Sequence, residues 1–136
     1  MAAALLALAS PALADTPPAK AQEPIALEAP KDFASAVAAV ERAAATKAEP
    51  LEGLGGQVPE GEGRAFAVEG KVAERLLAGS HAAFRGAGFY LFRYERSYGM
   101  AGEKDRLGLL KTGDRNAVLR RMGTSAAKRG DIARRL

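Results

Sequence analysis

The sequence predicts an α+β fold: a small sheet of about three strands packed with three to four helices. Three observations lead there. Apolar residues recur at helical spacing from Phe33 to Ala44, and again between Val72 and Phe84. Two runs with strand patterning, residues 89–96 and 106–111, are separated by a polar stretch. The 136 residues, 48% hydrophobic and 26% charged, suffice for one core and leave no room for a second sizeable one.

Residues 1–14 (MAAALLALASPALA) read as a signal peptide. An apolar run from Ala2 to Ala9 meets the helix breaker Pro11, and small residues Ala12 and Ala14 precede Asp15 in an A-x-A pattern. The n-region has only the α-amino group for charge. A membrane span needs roughly 20 apolar residues, and no other window approaches that. The mature chain is therefore expected to begin at Asp15, in the periplasm or secreted. Residues 15–31 carry four Pro and read as an extended, solvated linker. Residues 32–136 are the expected single α+β domain.

Within it, Phe33, Val37, Val40 and Ala44 form one apolar helical stripe, with Asp32 placed to accept the free N–H groups of the first turn. Residues 50–64 hold five Gly and two Pro and read as a long mobile loop. Phe66 and Val68 alternate with Ala65 and Ala67 as a short strand. Val72, Leu76, Leu77 and Phe84 mark a second helix ending near Gly86 and Gly88; Gly79 inside it costs about 1 kcal/mol against Ala and admits either a break or a continuous helix. In residues 89–96, Phe89 and Leu91 point one way, together with Arg93 and Glu95. Tyr90, Phe92 and Tyr94 point the other way. Apolar groups on both faces predict a central strand, paired antiparallel with residues 106–111. Asp114 caps a helix through Val118, Leu119 and Met122 that stops at Gly123, and Asp131 starts a last turn.

The chemistry is bounded mostly by exclusion. The absence of Cys removes disulfides, thiol nucleophiles and zinc-finger spacings, and the single His81 removes two-histidine metal motifs. No nucleophile elbow, P-loop or H-E-x-x-H pattern occurs, and no cofactor or metal is expected. The glycines at 53, 55 and 56 are followed by Gln57-Val58-Pro59 rather than a helix start, so they do not form a phosphate cradle. His81, at helical spacing from Leu77 and Phe84, reads as structural. Glu60/Glu62 and Glu103/Asp105 read as solubilising loop pairs.

Two groups of residues are candidate binding sites. Tyr90, Arg93, Tyr94, Arg96 and Tyr98 bring phenols and guanidiniums to one strand end, where they could hold an anion or a carboxylate. Residues 106–136 carry nine Lys or Arg against two Asp, so Arg115, Arg120, Arg121, Arg129, Arg134 and Arg135 form a basic face. That face suggests an acidic protein or an anionic envelope component as partner. Without interleaved aromatics, nucleic acid is the poorest fit.

The stretch GFYLFRYERSYG, then DRLGLL, then VLRRMGTSAAKRG and DIARRL resembles the upstream portion of the bacterial domain of unknown function 4253 family, over residues 88–136. Members of that family continue into a Trp-rich half with a Phe-Cys-Pro-Asp segment, and this chain has neither Trp nor Cys. No activity is established for the family, so the resemblance implies a fold relationship and a chain lacking a C-terminal half. The expected function is a non-catalytic binding or inhibitor-like module. The alternative is the front part of an envelope enzyme whose active site lies in the missing half.

Overall fold

A computed structural model describes residues 23–53, 56–97 and 102–122. Residues 1–14, expected to be a signal peptide, and Tyr98, Gly123, Arg129, Asp131, Arg134 and Arg135 lie outside the described residues.

Helix α1 (Phe33–Ala44) starts where the sequence indicates: Asp32 is extended, and its Oδ1 accepts the Ser35 N–H at 2.7 Å. Phe33, Ala36 and Val40 are its buried residues. Its end is unusual, because Ala45 sits in the left-handed region at φ 53° so that the Thr46 N–H can reach the Glu41 carbonyl at 3.1 Å. Strands β1 (Glu49–Pro50), β2 (Glu52–Gly53), β3 (Gly56–Gln57) and β4 (Gly63–Val68) follow. Then come α2 (Gly70–Gly86), β5 (Tyr90–Glu95), β6 (Asp105–Leu110) and α3 (Arg115–Met122).

The fold is α+β, with four antiparallel strands in the order β1-β4-β6-β5 and a separate two-stranded ribbon, β2-β3. The sheet is the middle of three layers. On one face, Phe66, Val68, Leu91, Leu107 and Leu109 meet Phe33, Ala36 and Val40 of α1 and Ala73, Leu76 and Phe84 of α2. On the other, Ala65, Tyr90, Phe92 and Leu110 meet Leu51, Val58 and, from α3, Val118 and Met122. Burying a large apolar side chain fully is worth about 1.5–3 kcal/mol, so both faces matter to stability.

Three expectations are corrected here, and one open alternative is decided. The strand at residues 89–96 is not central: β5 is an edge strand, and β6 lies between it and β4. Apolar residues on both faces report layers above and below a strand, not neighbours beside it, and both layers are present. The stretch from Pro50 to Arg64 is not simply a mobile loop. It pairs β1 with β4, folds the β2-β3 ribbon and buries Leu51 and Val58, whose backbones are bonded at 2.7 Å. Helix α2 runs unbroken through Gly79, and a Cβ there would collide with the backbone of Ile25. Glycine at this position serves a close approach rather than a break. By the same contact, the end of the Pro-rich segment is not a solvated linker: Ile25 and Leu27 pack against the α1-α2 side of the core.

Candidate functional site

A β-bulge shapes a cleft at one end of the sheet. Arg93 pairs with Leu107 and Glu95 with Arg106, so Tyr94 is an extra residue on β5 opposite no partner. The bulge interrupts the two-residue alternation. Tyr94 and Glu95, adjacent in sequence, therefore line the same cleft. This corrects the expectation that Glu95 shares the face of Arg93 and Phe89.

The cleft encloses about 560 Å³ between β1, the β2-β3 ribbon, the ends of β5 and β6, and Met122 of α3. Glu49, Glu52, Gln57, Tyr94, Glu95 and Arg106 supply its polar lining. Arg106 organises the floor: its Nε donates to the Tyr94 hydroxyl oxygen at 3.3 Å, and its Nη2 lies 3.1 Å from Glu49 Oε1. Burial pushes the Tyr94 phenol above its ordinary value, against the opposing effect of Arg106, so it remains neutral at physiological pH. For Arg106, burial disfavours the charge, but the Tyr94 and Glu49 contacts outweigh it and hold the guanidinium charged. Three carboxylates, Glu49, Glu52 and Glu95, thus surround one cation that is already paired.

Close approach fixes the position of α3 over this cleft. A Cβ on Gly53 would collide with the carbonyl of Arg121, so only glycine lets the ribbon reach the end of the helix. Across the same seam, Arg121 Nη2 donates to Glu62 Oε1.

The tyrosine–arginine set is divided between the two faces of β5. Tyr94 lines the cleft, whereas Tyr90 is fully buried in the α3-side core. Its ring has the His81 ring edge-on at 5.1 Å and the Arg85 guanidinium 5.4 Å from its centroid. Its hydroxyl has no partner among the described residues. Arg93 and Arg96 turn toward α2 instead. Arg93 Nη1 donates to buried Asp105 Oδ2 at 2.9 Å, and Arg96 Nη2 donates to Glu74 Oε2 at 3.0 Å. Asp105 Oδ1 also accepts the Ser97 N–H at 2.8 Å. Both guanidiniums are thus paired with carboxylates of this chain, Arg93 with buried Asp105 and Arg96 with exposed Glu74. Residue alternation along an extended strand is the reason for the division.

Of the expected basic face, Arg115, Arg120 and Arg121 lie exposed on α3, with Arg121 paired to Glu62. His81 Nδ1 donates to the Leu91 carbonyl at 2.8 Å, closing one acceptor on the outer side of the edge strand. Glu60 is paired with Arg64 at 3.1 Å, and Asp105 belongs to the buried pair rather than to a solvated loop. Among the described residues, no three His, Cys, Asp or Glu side chains are placed to hold a metal ion, and no helix is long and apolar enough to cross a membrane.

The sequence reading missed Glu49, Glu52, Gln57 and Arg106. One trace of the cleft was present: Arg106 is a charged residue on the sheet face that Gly108 and Leu110 share. The bulge that brings Glu95 in left no trace.

Comparison of the chain with known protein families, curated proteins and solved structures finds no match. The resemblance over residues 88–136 therefore rests on the quoted motifs alone.

Proposed function

We propose that the chain is an exported, non-catalytic binding module, and that the cleft beneath the β2-β3 ribbon takes a cationic group such as a Lys or Arg side chain of a protein partner. One observation carries this reading: the cleft has three carboxylates around a single guanidinium that Glu49 already neutralises. The uncompensated charge is negative, and a concave wall concentrates its field on an incoming cation. The neutral Tyr94 phenol, accepting from Arg106, keeps its own proton to donate. Gln57 and Met122 add an amide and an adaptable apolar wall. Glu52 and Glu95 are exposed, so their attraction is screened by salt and binding weakens as ionic strength rises. This polarity is opposite to that of the basic C-terminal stretch, so an anionic partner would have to use α3 instead.

The test is a titration of acetyl-arginine-amide into the isotopically labelled chain. Amide shifts are expected around Glu52, Gln57 and Glu95, and their loss is expected in a Glu52→Gln, Glu95→Gln double variant. Equal shifts from acetyl-aspartate, or shifts located elsewhere, would overturn the reading. Export rests on residues 1–14. An N-terminus at Asp15 in mass spectra of a periplasmic fraction is the expected result, and an intact Met1 in the cytosol contradicts it.

A further inference from the structure

Residues 23–28 cross α2 as an extended segment with alternate residues turned inward. Ile25 and Leu27 are half-buried against the core, while Glu23, Pro24, Ala26 and Glu28 are exposed. The polar contacts of the segment are to its backbone. The Ile25 N–H donates to the Arg75 carbonyl at 2.9 Å, and Arg75 Nε donates to the Glu23 carbonyl at 2.8 Å. Ser80, fully buried, serves both polarities: its hydroxyl accepts the Leu27 N–H at 2.9 Å and donates to the Ile25 carbonyl at 2.6 Å. Gly79 completes the groove by leaving the Ile25 backbone room to lie on the helix.

This is how an extended peptide is read by a neighbouring strand, except that a serine hydroxyl on a helix supplies the donor and the acceptor. Backbone contacts of this kind fix conformation without choosing sequence, and the two inward apolar side chains supply what selectivity there is. Ser80 is buried with the segment in place, and its hydroxyl bonds the segment's backbone through both its donor and its acceptor.

We infer that this groove of α2 is a peptide-binding site for an extended segment with apolar side chains two residues apart, and that residues 23–28 are its resident, displaceable occupant. It lies on the α1-α2 side of the sheet, opposite the acidic cleft, and does not depend on what that cleft binds. On its C-terminal side the occupant is tethered to the body through Ala29, Pro30 and Lys31, ahead of the Asp32 cap. Its hydrogen bonds run to Arg75 and Ser80 of α2, so its release breaks none of those within α1 or the sheet.

The test uses the full chain with Ile25→Asp and Leu27→Asp, which frees the groove, and a labelled, terminally blocked peptide of the sequence of residues 23–28. Anisotropy should show the peptide binding the freed chain at least about tenfold more tightly than the parent, whose own segment competes. Adding Ser80→Ala should weaken binding by about tenfold, the loss expected when a buried hydrogen-bonding group is removed. A peptide with Asp at its two apolar positions should not bind. An independent readout in the unaltered chain is hydrogen exchange at the Leu27 amide, which should open by local release and exchange faster than the core amide of Leu109. A folded, freed variant that ignores the peptide overturns the proposal. So does a Leu27 amide that exchanges only with global unfolding, since the segment would then be an inseparable part of the core. Concentration-dependent dimers of the parent chain that the peptide dissolves would support the site and identify a second copy's segment as a ligand.

Discussion

The ring of Phe92 fills the space that a side chain at Gly108 would occupy. The two residues face each other across β5 and β6, and a Cβ built on Gly108 would come within 2.5–3.0 Å of the ring. A glycine in a central strand ordinarily weakens it, and an aromatic ring laid across the gap restores the lost packing.

Phe92→Ala should therefore cost about 3–5 kcal/mol, as a large aromatic removed from a packed core does. Gly108→Ala should also destabilise, by about 1–3 kcal/mol, because it overpacks the same space. The double variant should lose less than the sum, since removing the ring relieves the clash, with coupling of about 0.5–3 kcal/mol. Denaturant melts of the four proteins measure this cycle. Strict additivity would show that the pair does not share one space.

Ala45→Gly should stabilise the chain. Ala45 holds φ 53° at the end of α1, a conformation that strains an L-residue and that glycine adopts freely. The gain should be about 0.5–1 kcal/mol, because glycine's looser unfolded chain offsets part of the relief. A lower melting temperature for Ala45→Gly would mean that α1 does not end in this turn.

Two groups connect stability to pH, in opposite directions. Asp32 is held below its ordinary value of 3.8, first by the Ser35 backbone N–H, so its contribution is present above that value. It is lost as pH falls through the lower value in the folded chain. Tyr94 is raised above 10.0 by burial, so its contribution is present below 10 and is lost as pH rises through the higher folded value. Asp32→Asn should flatten the acid limb of the stability profile, and Tyr94→Phe the alkaline limb. Melting temperatures across the pH range separate the two effects. Parallel profiles for parent and variant would contradict either assignment.

The elements legible in the sequence were those whose residues announce themselves locally. Asp32 before Phe33 gave the start of α1, and Tyr90 and Phe92 opposite Phe89 and Leu91 gave both faces of β5. What stayed hidden depends on distant partners. Gly79 looks like a helix break until Ile25 is seen resting on it, and Leu51 and Val58 look like loop residues until β4 and α3 cover them. The cleft needed the bulge at Tyr94, one residue of slippage that no alternation pattern contains. Of the tyrosine–arginine set, Tyr90 and Tyr94 lie on one face of β5 and Arg93 on the other, as alternation along a strand indicates, but the Asp105 and Glu74 partners of Arg93 and Arg96 come from other elements.

The basic helix α3 offers a last prediction, because its adjacent arginines are not equivalent. Consecutive helical residues point about 100° apart, so Arg120 and Arg121 face different surroundings. Arg121 is turned to the ribbon side, where Glu62 accepts from it, whereas Arg120 is exposed. A cation already engaged by a carboxylate has little left to give an anionic surface, and each cation that does contact such a surface steepens the fall of affinity with salt. If α3 meets an anionic partner, Arg120→Gln should lower the slope of log affinity against log salt for heparin by about one, and Arg121→Gln should leave it nearly unchanged. Stability should respond the other way round: Arg121→Gln loses a half-exposed pair worth up to about 1 kcal/mol, and Arg120→Gln stays within about 0.5 kcal/mol. Salt-dependent heparin retention and denaturant melts of the two variants measure both effects. Slopes unchanged in both variants would remove α3 as an anion-binding face.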